Sequence, residues 1–83
     1  MGPAAEPGNA QFRRNEAVAL INIGDVEAHA GENAKALSHY QEALRIREQL
    51  SSAAKEDTTI RRELAEVWMK LGDVLDKTES RSQ

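Results

Sequence analysis

From Phe12 to Leu75 apolar side chains recur every three or four residues with polar ones between them. Phe12, Ala19, Leu20, Ile23, Val26 and Ala30 mark one face of a first helix. Asn9 is placed to cap it, its side-chain oxygen accepting an early backbone N–H. Gly31 stops this helix, since glycine enters the left-handed conformation of a helix end without strain. A second helix starts near Asn33 and carries Ala36, Leu37, Tyr40, Ala43, Leu44, Arg47 and Leu50. Asp57 caps a third, with Ile60, Leu64, Val67, Leu71, Val74 and Leu75 on its stripe and an end near Lys77. The pattern predicts an all-α chain: an antiparallel helical hairpin plus a third helix. Residues 9–78 form the single domain, with 1–8 a frayed lead or vector remnant and 79–83 a disordered tail.

Gly24 sits inside the first apolar stripe, where glycine costs about 1 kcal/mol against alanine. A packing reason is therefore expected, and Ala36 and Ala43 suggest one. If the chain folds back at Gly31, small side chains at 24, 36 and 43 let two helices approach closely, while Leu20, Ile23, Tyr40 and Leu44 fill the remaining volume.

An internal repeat reinforces the helical reading. At an offset of 48, the distance from Gly24 to Gly72, Arg13-Arg14 meets Arg61-Arg62, Ala17 meets Ala65, and Gly24-Asp25-Val26 meets Gly72-Asp73-Val74. Six of the fifteen pairs from 12 to 26 are identical and five more exchange one apolar residue for another; Asn9 falls on Asp57. The first and third helices are expected to be copies of one element, with the second as connector.

Composition narrows the function classes. The 83 residues bound the chain to one small domain, near the size at which a single core is marginal. Cysteine is absent, which removes disulfides and thiol chemistry. A net charge of −3 and a pI near 5.3 oppose nucleic-acid binding, whose footprint is basic. No apolar run approaches the roughly 20 residues that span a bilayer, so a soluble, cytoplasmic chain without membrane contact is expected. Met1-Gly2 resembles a lipidation start, but Glu6 stands where that signal needs Ser or Thr.

Candidates for chemistry are sparse. Asp25 and His29 lie four apart on one helix face, yet no third metal ligand accompanies them, so no metal or cofactor is expected. No nucleophile turn or Gly-rich phosphate loop is present, and an enzyme is not expected. The two Arg pairs read as decoration of the solvent side near each helix start.

Trp68-x2-Leu71-Gly72-x2-Leu75 and Ala36-x3-Tyr40, followed by Ala43, resemble the two halves of the tetratricopeptide repeat pattern, and Leu20-x2-Ile23-Gly24-x2-Glu27 is a looser match. The resemblance covers about residues 12–78. It implies a stack of antiparallel helix pairs, about one and a half units of an α-α superhelix, with a concave face engaged in protein–protein contact. Glu48 stands where the family has its helix-ending proline, and the offset of 48 exceeds the usual period of roughly 34. This is similar to a long-period variant in bacterial signalling proteins such as kinases, and implies a scaffold or adaptor module within a larger protein.

The concave face is expected to carry Val18, Ile21, Asn22, Asp25 and His29 with the copies Glu66, Met69, Lys70, Asp73 and Lys77. Of these, Ile21, Asn22, Asp25, His29, Met69, Lys70 and Asp73 are the candidate partner-binding residues. Such a mixed apolar and acidic groove suits a peptide with apolar anchors and a basic flank. The alternative for Asp25 and Asp73 is structural pairing with a cation on a neighbouring helix. One hairpin plus a lone third helix leaves apolar area without a neighbour. Trp68 and Leu75 are therefore the candidates for self-association into a homodimer.

Overall fold

The computed structural model describes residues 7–53 and 56–82, which form three helices in series: α1 (Pro7–His29), α2 (Asn33–Ala53) and α3 (Thr58–Ser82). α1 packs against α2 and α2 against α3. The chain is all-α, as its periodicity predicts. Two boundaries differ from expectation. α1 begins at Pro7, so Asn9 lies two residues inside the helix and not at its cap position. Proline's fixed φ suits a first helical turn, which explains the earlier start. α3 runs past Lys77 to Ser82, because nothing from Thr78 onward is a glycine or proline that would stop it. Residues 1–6 of the expected lead and Gln83 of the expected tail lie outside the described residues.

The first reversal is set by Gly31. Its φ of 85° is left-handed. The Gly31 N–H donates to the Ala28 carbonyl at 3.1 Å and the Glu32 N–H to the Glu27 carbonyl at 2.8 Å, the paired bonds of a Schellman stop. The Ala36 N–H already donates to the Glu32 carbonyl at 3.0 Å, so α2 starts at once. Asp57 begins α3 as a cap, its Oδ1 accepting from the Thr59 N–H at 2.9 Å and the Ile60 N–H at 3.2 Å.

The core is Ala17 and Ile21 from α1, Ala36, Tyr40, Ala43 and Ile46 from α2, and Val67, Leu71 and Val74 from α3. Gly24 is buried beneath the Tyr40 ring: a Cβ built there would stand 2.6 Å from Tyr40 Cε1. The glycine is thus required by an aromatic ring, with Ala36 and Ala43 buried four and three residues to either side of it. The apolar stripe expected to pack α1 is out of phase. Ile23 is exposed, as are Phe12 and Val26, whereas Ala17, Ile21 and Gly24 face inward. α1 is apolar on two sides, and the seat for Tyr40 selects which side turns in.

The repeat does not imply equal surroundings. Ala17, Ile21 and Gly24 are buried, while their copies Ala65, Met69 and Gly72 are exposed. Conversely Val67, Leu71 and Val74 are buried, while their copies Ala19, Ile23 and Val26 are exposed. Buried positions coincide at an offset of 50 instead: 17 with 67, 21 with 71, 24 with 74. Two extra residues at about 100° each turn the helix by roughly 200°. α1 and α3 therefore present opposite faces of the same sequence to α2.

The two glycines should respond in opposite directions to alanine. A Cβ at Gly24 displaces a buried ring, so Gly24→Ala should destabilise by about 1–3 kcal/mol. Gly72 has nothing within 4 Å of its Cβ direction. Gly72→Ala should stabilise the free chain by up to about 1 kcal/mol through helix propensity alone. Urea denaturation followed by circular dichroism measures both; shifts of the same sign would refute this assignment of the two seats.

Candidate functional site

Tyr40 reaches beyond its seat on Gly24. Its hydroxyl donates to Asp25 Oδ1, and Lys70 Nζ on α3 donates to the same carboxylate at 3.1 and 3.3 Å. One aspartate on α1 thereby joins all three helices. Asp25, His29, Tyr40, Lys70, Asp73 and Lys77 line a cleft of about 250 Å³ between α1 and α3, with Ala28 and Val74 completing the wall. Asp73 pairs with Lys77 one turn along at 3.4 Å, where both are open to solvent. Such a pair contributes little to stability.

A second set of polar contacts ties the opposite ends of the helices. Arg14 grips Glu63 with Nε at 3.3 Å and Nη2 at 2.8 Å, a two-pronged pair from α1 to α3. This hydrogen bond and the Glu63 charge push the Arg14 pKa further up. The reading of Arg14 as solvent decoration is corrected: it is half-buried and holds the outer helices together. Arg13 hydrogen-bonds Gln49 on α2. Arg47, 4 % exposed, donates to the Glu63 carbonyl at 2.8 Å and reaches Glu66 Oε1 at 3.4 Å. Near the hairpin turn, His39 Nδ1 lies 2.7 Å from Glu27 Oε1.

The predicted partner-binding residues divide into groups. Asp25, His29, Lys70 and Asp73 stand around the one cleft. Asn22 is exposed but does not line it. Met69 lies 75 % exposed on the outer side of α3. Ile21 is a correction: at 5 % exposure it belongs to the core, because the face carrying Gly24 is the one pressed on α2. It offers no surface to a partner, and its truncation would act on stability. Tyr40 is the cleft residue that sequence reasoning assigned to packing alone; its hydroxyl, beside an aspartate copied at Asp73, was the available signal. Trp68 and Leu75 stand 53 % and 45 % exposed on α3.

Among the described residues no group of three or more His, Asp or Glu side chains could hold a metal ion. No helix among them is long and apolar enough to cross a membrane. The fold and site together define a small all-α layer of three helices with a polar cleft between the outer two. Comparison with protein-family models, curated proteins and solved structures finds no match.

Burial, followed by the hydrogen bond to Asp25, pushes the Tyr40 pKa well above its usual range. From about pH 10 upward the unfolded chain releases this proton while the folded chain retains it, so stability falls as pH rises. The single-group slope is at most about 1.4 kcal/mol per pH unit. Denaturation curves between about pH 8 and 11 should show a smaller alkaline loss in Tyr40→Phe than in the parent chain; equal losses would mean that the hydroxyl is not shielded by the fold.

Proposed function

We propose that this chain is a non-catalytic scaffold or adaptor module of the long-period tetratricopeptide kind, part of a larger bacterial signalling protein, which holds a partner peptide or domain along the cleft between α1 and α3. The observation that carries the reading is the convergence of Asp25, His29, Lys70, Asp73 and Lys77 from two helices on one open groove floored by Tyr40. The repeat pattern of Ala36, Tyr40, Ala43, Trp68, Leu71 and Gly72 supports the family assignment. Because Lys70 already neutralises Asp25 and Lys77 pairs with Asp73, the groove discriminates by hydrogen bonding and shape more than by net charge. A basic flank on the partner is accordingly less demanded than the bare sequence suggests.

Selection of a random peptide library on the immobilised chain, followed by anisotropy titration of the selected peptide, tests this reading. Lys77→Glu and His29→Glu should each weaken binding by at least about tenfold, or 1.4 kcal/mol, with the helical circular dichroism unchanged. Failure to select any peptide, or affinity indifferent to both substitutions, would rule the cleft out as the binding surface.

A second reading is favoured by the exposure of Trp68 and Leu75: self-association through the outer face of α3. It predicts a mass that grows with concentration in light scattering coupled to size exclusion, returning to that of one chain in Trp68→Gln. A constant monomer mass across the accessible range would eliminate it.

A further inference from the structure

Gly72 is a mid-helix glycine with no neighbour to require it. Gly24, its copy, exists to seat the Tyr40 ring, whose hydroxyl then meets Asp25. The residues around the two glycines correspond as well. Ala17, Leu20, Ile21 and Gly24, by which α1 holds α2, recur as Ala65, Trp68, Met69 and Gly72, all turned outward on α3. Asp25 recurs as Asp73.

We infer that the outer face of α3 is a second seat for a helix built like α2, with a small residue, then an aromatic hydroxyl four positions on, then a second small residue three positions further. The aromatic ring rests on Gly72 and its hydroxyl turns toward Asp73, as Tyr40 does on Gly24 and Asp25. One position refines the partner's chemistry. Glu27, which pairs with His39, recurs as Leu75, so the occupant carries an apolar side chain where α2 has His39. The occupant is a separate helix and not the α2 of a folded second copy, which α1 and α3 already cover; it competes for this face with the self-association reading. The seat shares Asp73 with the cleft but not Lys77 or His29, so the substitutions that test the cleft leave the contacts on Gly72, Trp68 and Leu75 in place.

Trp68, the chain's sole tryptophan, stands in the seat and reports its occupancy. The probe is a synthetic peptide of residues 33–53 titrated into the full chain. A version with the same segment covalently appended to the chain's C-terminus raises the effective concentration where the free peptide binds weakly. Trp68 emission should shift to the blue in either format. The shift should be lost when Gly72→Leu fills the seat or when Tyr40→Ala is made in the added segment, and it should strengthen with His39→Leu in that segment. Displacement of the resident α2 by the peptide would leave Trp68 facing water, so an unshifted emission in both formats overturns the inference. It is equally overturned by a shift that survives Gly72→Leu, or by a concentration-dependent blue shift of the chain alone, which would place a second copy in the seat.

Discussion

The Tyr40 ring on the bare backbone of Gly24 is the contact on which the arrangement depends. With any side chain at 24 the ring would have to move, and the ring's position settles three things together. It sets how closely α2 approaches α1. It fixes the rotation of α1, so that Ala17 and Ile21 turn inward and Ile23 and Val26 turn out. It also delivers a hydroxyl to Asp25, which in turn holds Lys70. An apolar contact between two helices thereby positions a polar link to the third, and the cleft is the space left around that link.

α2 is the shared element, covered on both sides, and the outer helices are joined by polar side chains. Arg14 with Glu63 and Asp25 with Lys70 both advance in the same chain direction, so α1 and α3 run parallel. Charge-assisted pairs of this kind give geometry more than energy when partly exposed. The stability of the layer rests on α2's two faces, and the cleft sits where the apolar contact ends. Arg47 shows the limit of the apolar supply: a charged residue is buried between α2 and α3, satisfied by a backbone carbonyl at 2.8 Å through Nη1 while its Nε lacks a partner. A core this small accepts such a residue because few alternatives remain to fill the seam.

Helix number, the Gly31 stop and the Asp57 cap were legible in the sequence because each is a local signal: a period, a left-handed glycine, a side-chain oxygen before a helix. The rotation of α1 was not. Phe12, Ile23 and Val26 form as good a stripe as Ala17, Ile21 and Gly24, and periodicity cannot choose between two apolar faces of one rod. The choice comes from Tyr40, a residue on another helix. For the same reason Ile21 falls in the core and not on the groove, whereas Asp25, His29, Lys70 and Asp73 line one cleft. The role of Arg14 is invisible to any local pattern because its partner, Glu63, is 49 residues away.

The repeat carries the remaining step of argument. Identity at corresponding positions is ordinarily taken to mean identical surroundings, yet here burial is inverted at the offset that aligns the sequence. The inversion follows if the repeated unit is a helix with two working faces. One face holds the helix that follows it, through a small-residue line ending in glycine; the other rests on the helix that precedes it, through larger aliphatic residues. In α1 the first face is occupied, and in α3 the second. Neither helix uses both, and each exposes the face that its copy buries. Ile23 and Val26 on α1, like Trp68 and Met69 on α3, are therefore exposed for a reason internal to the sequence: each stands where its copy, Leu71, Val74, Leu20 or Ile21, packs in or against the core. A helix that must meet two neighbours is apolar on two sides, and this one requirement accounts for the misleading stripe on α1, the idle glycine on α3 and the apolar surface at both edges of the layer.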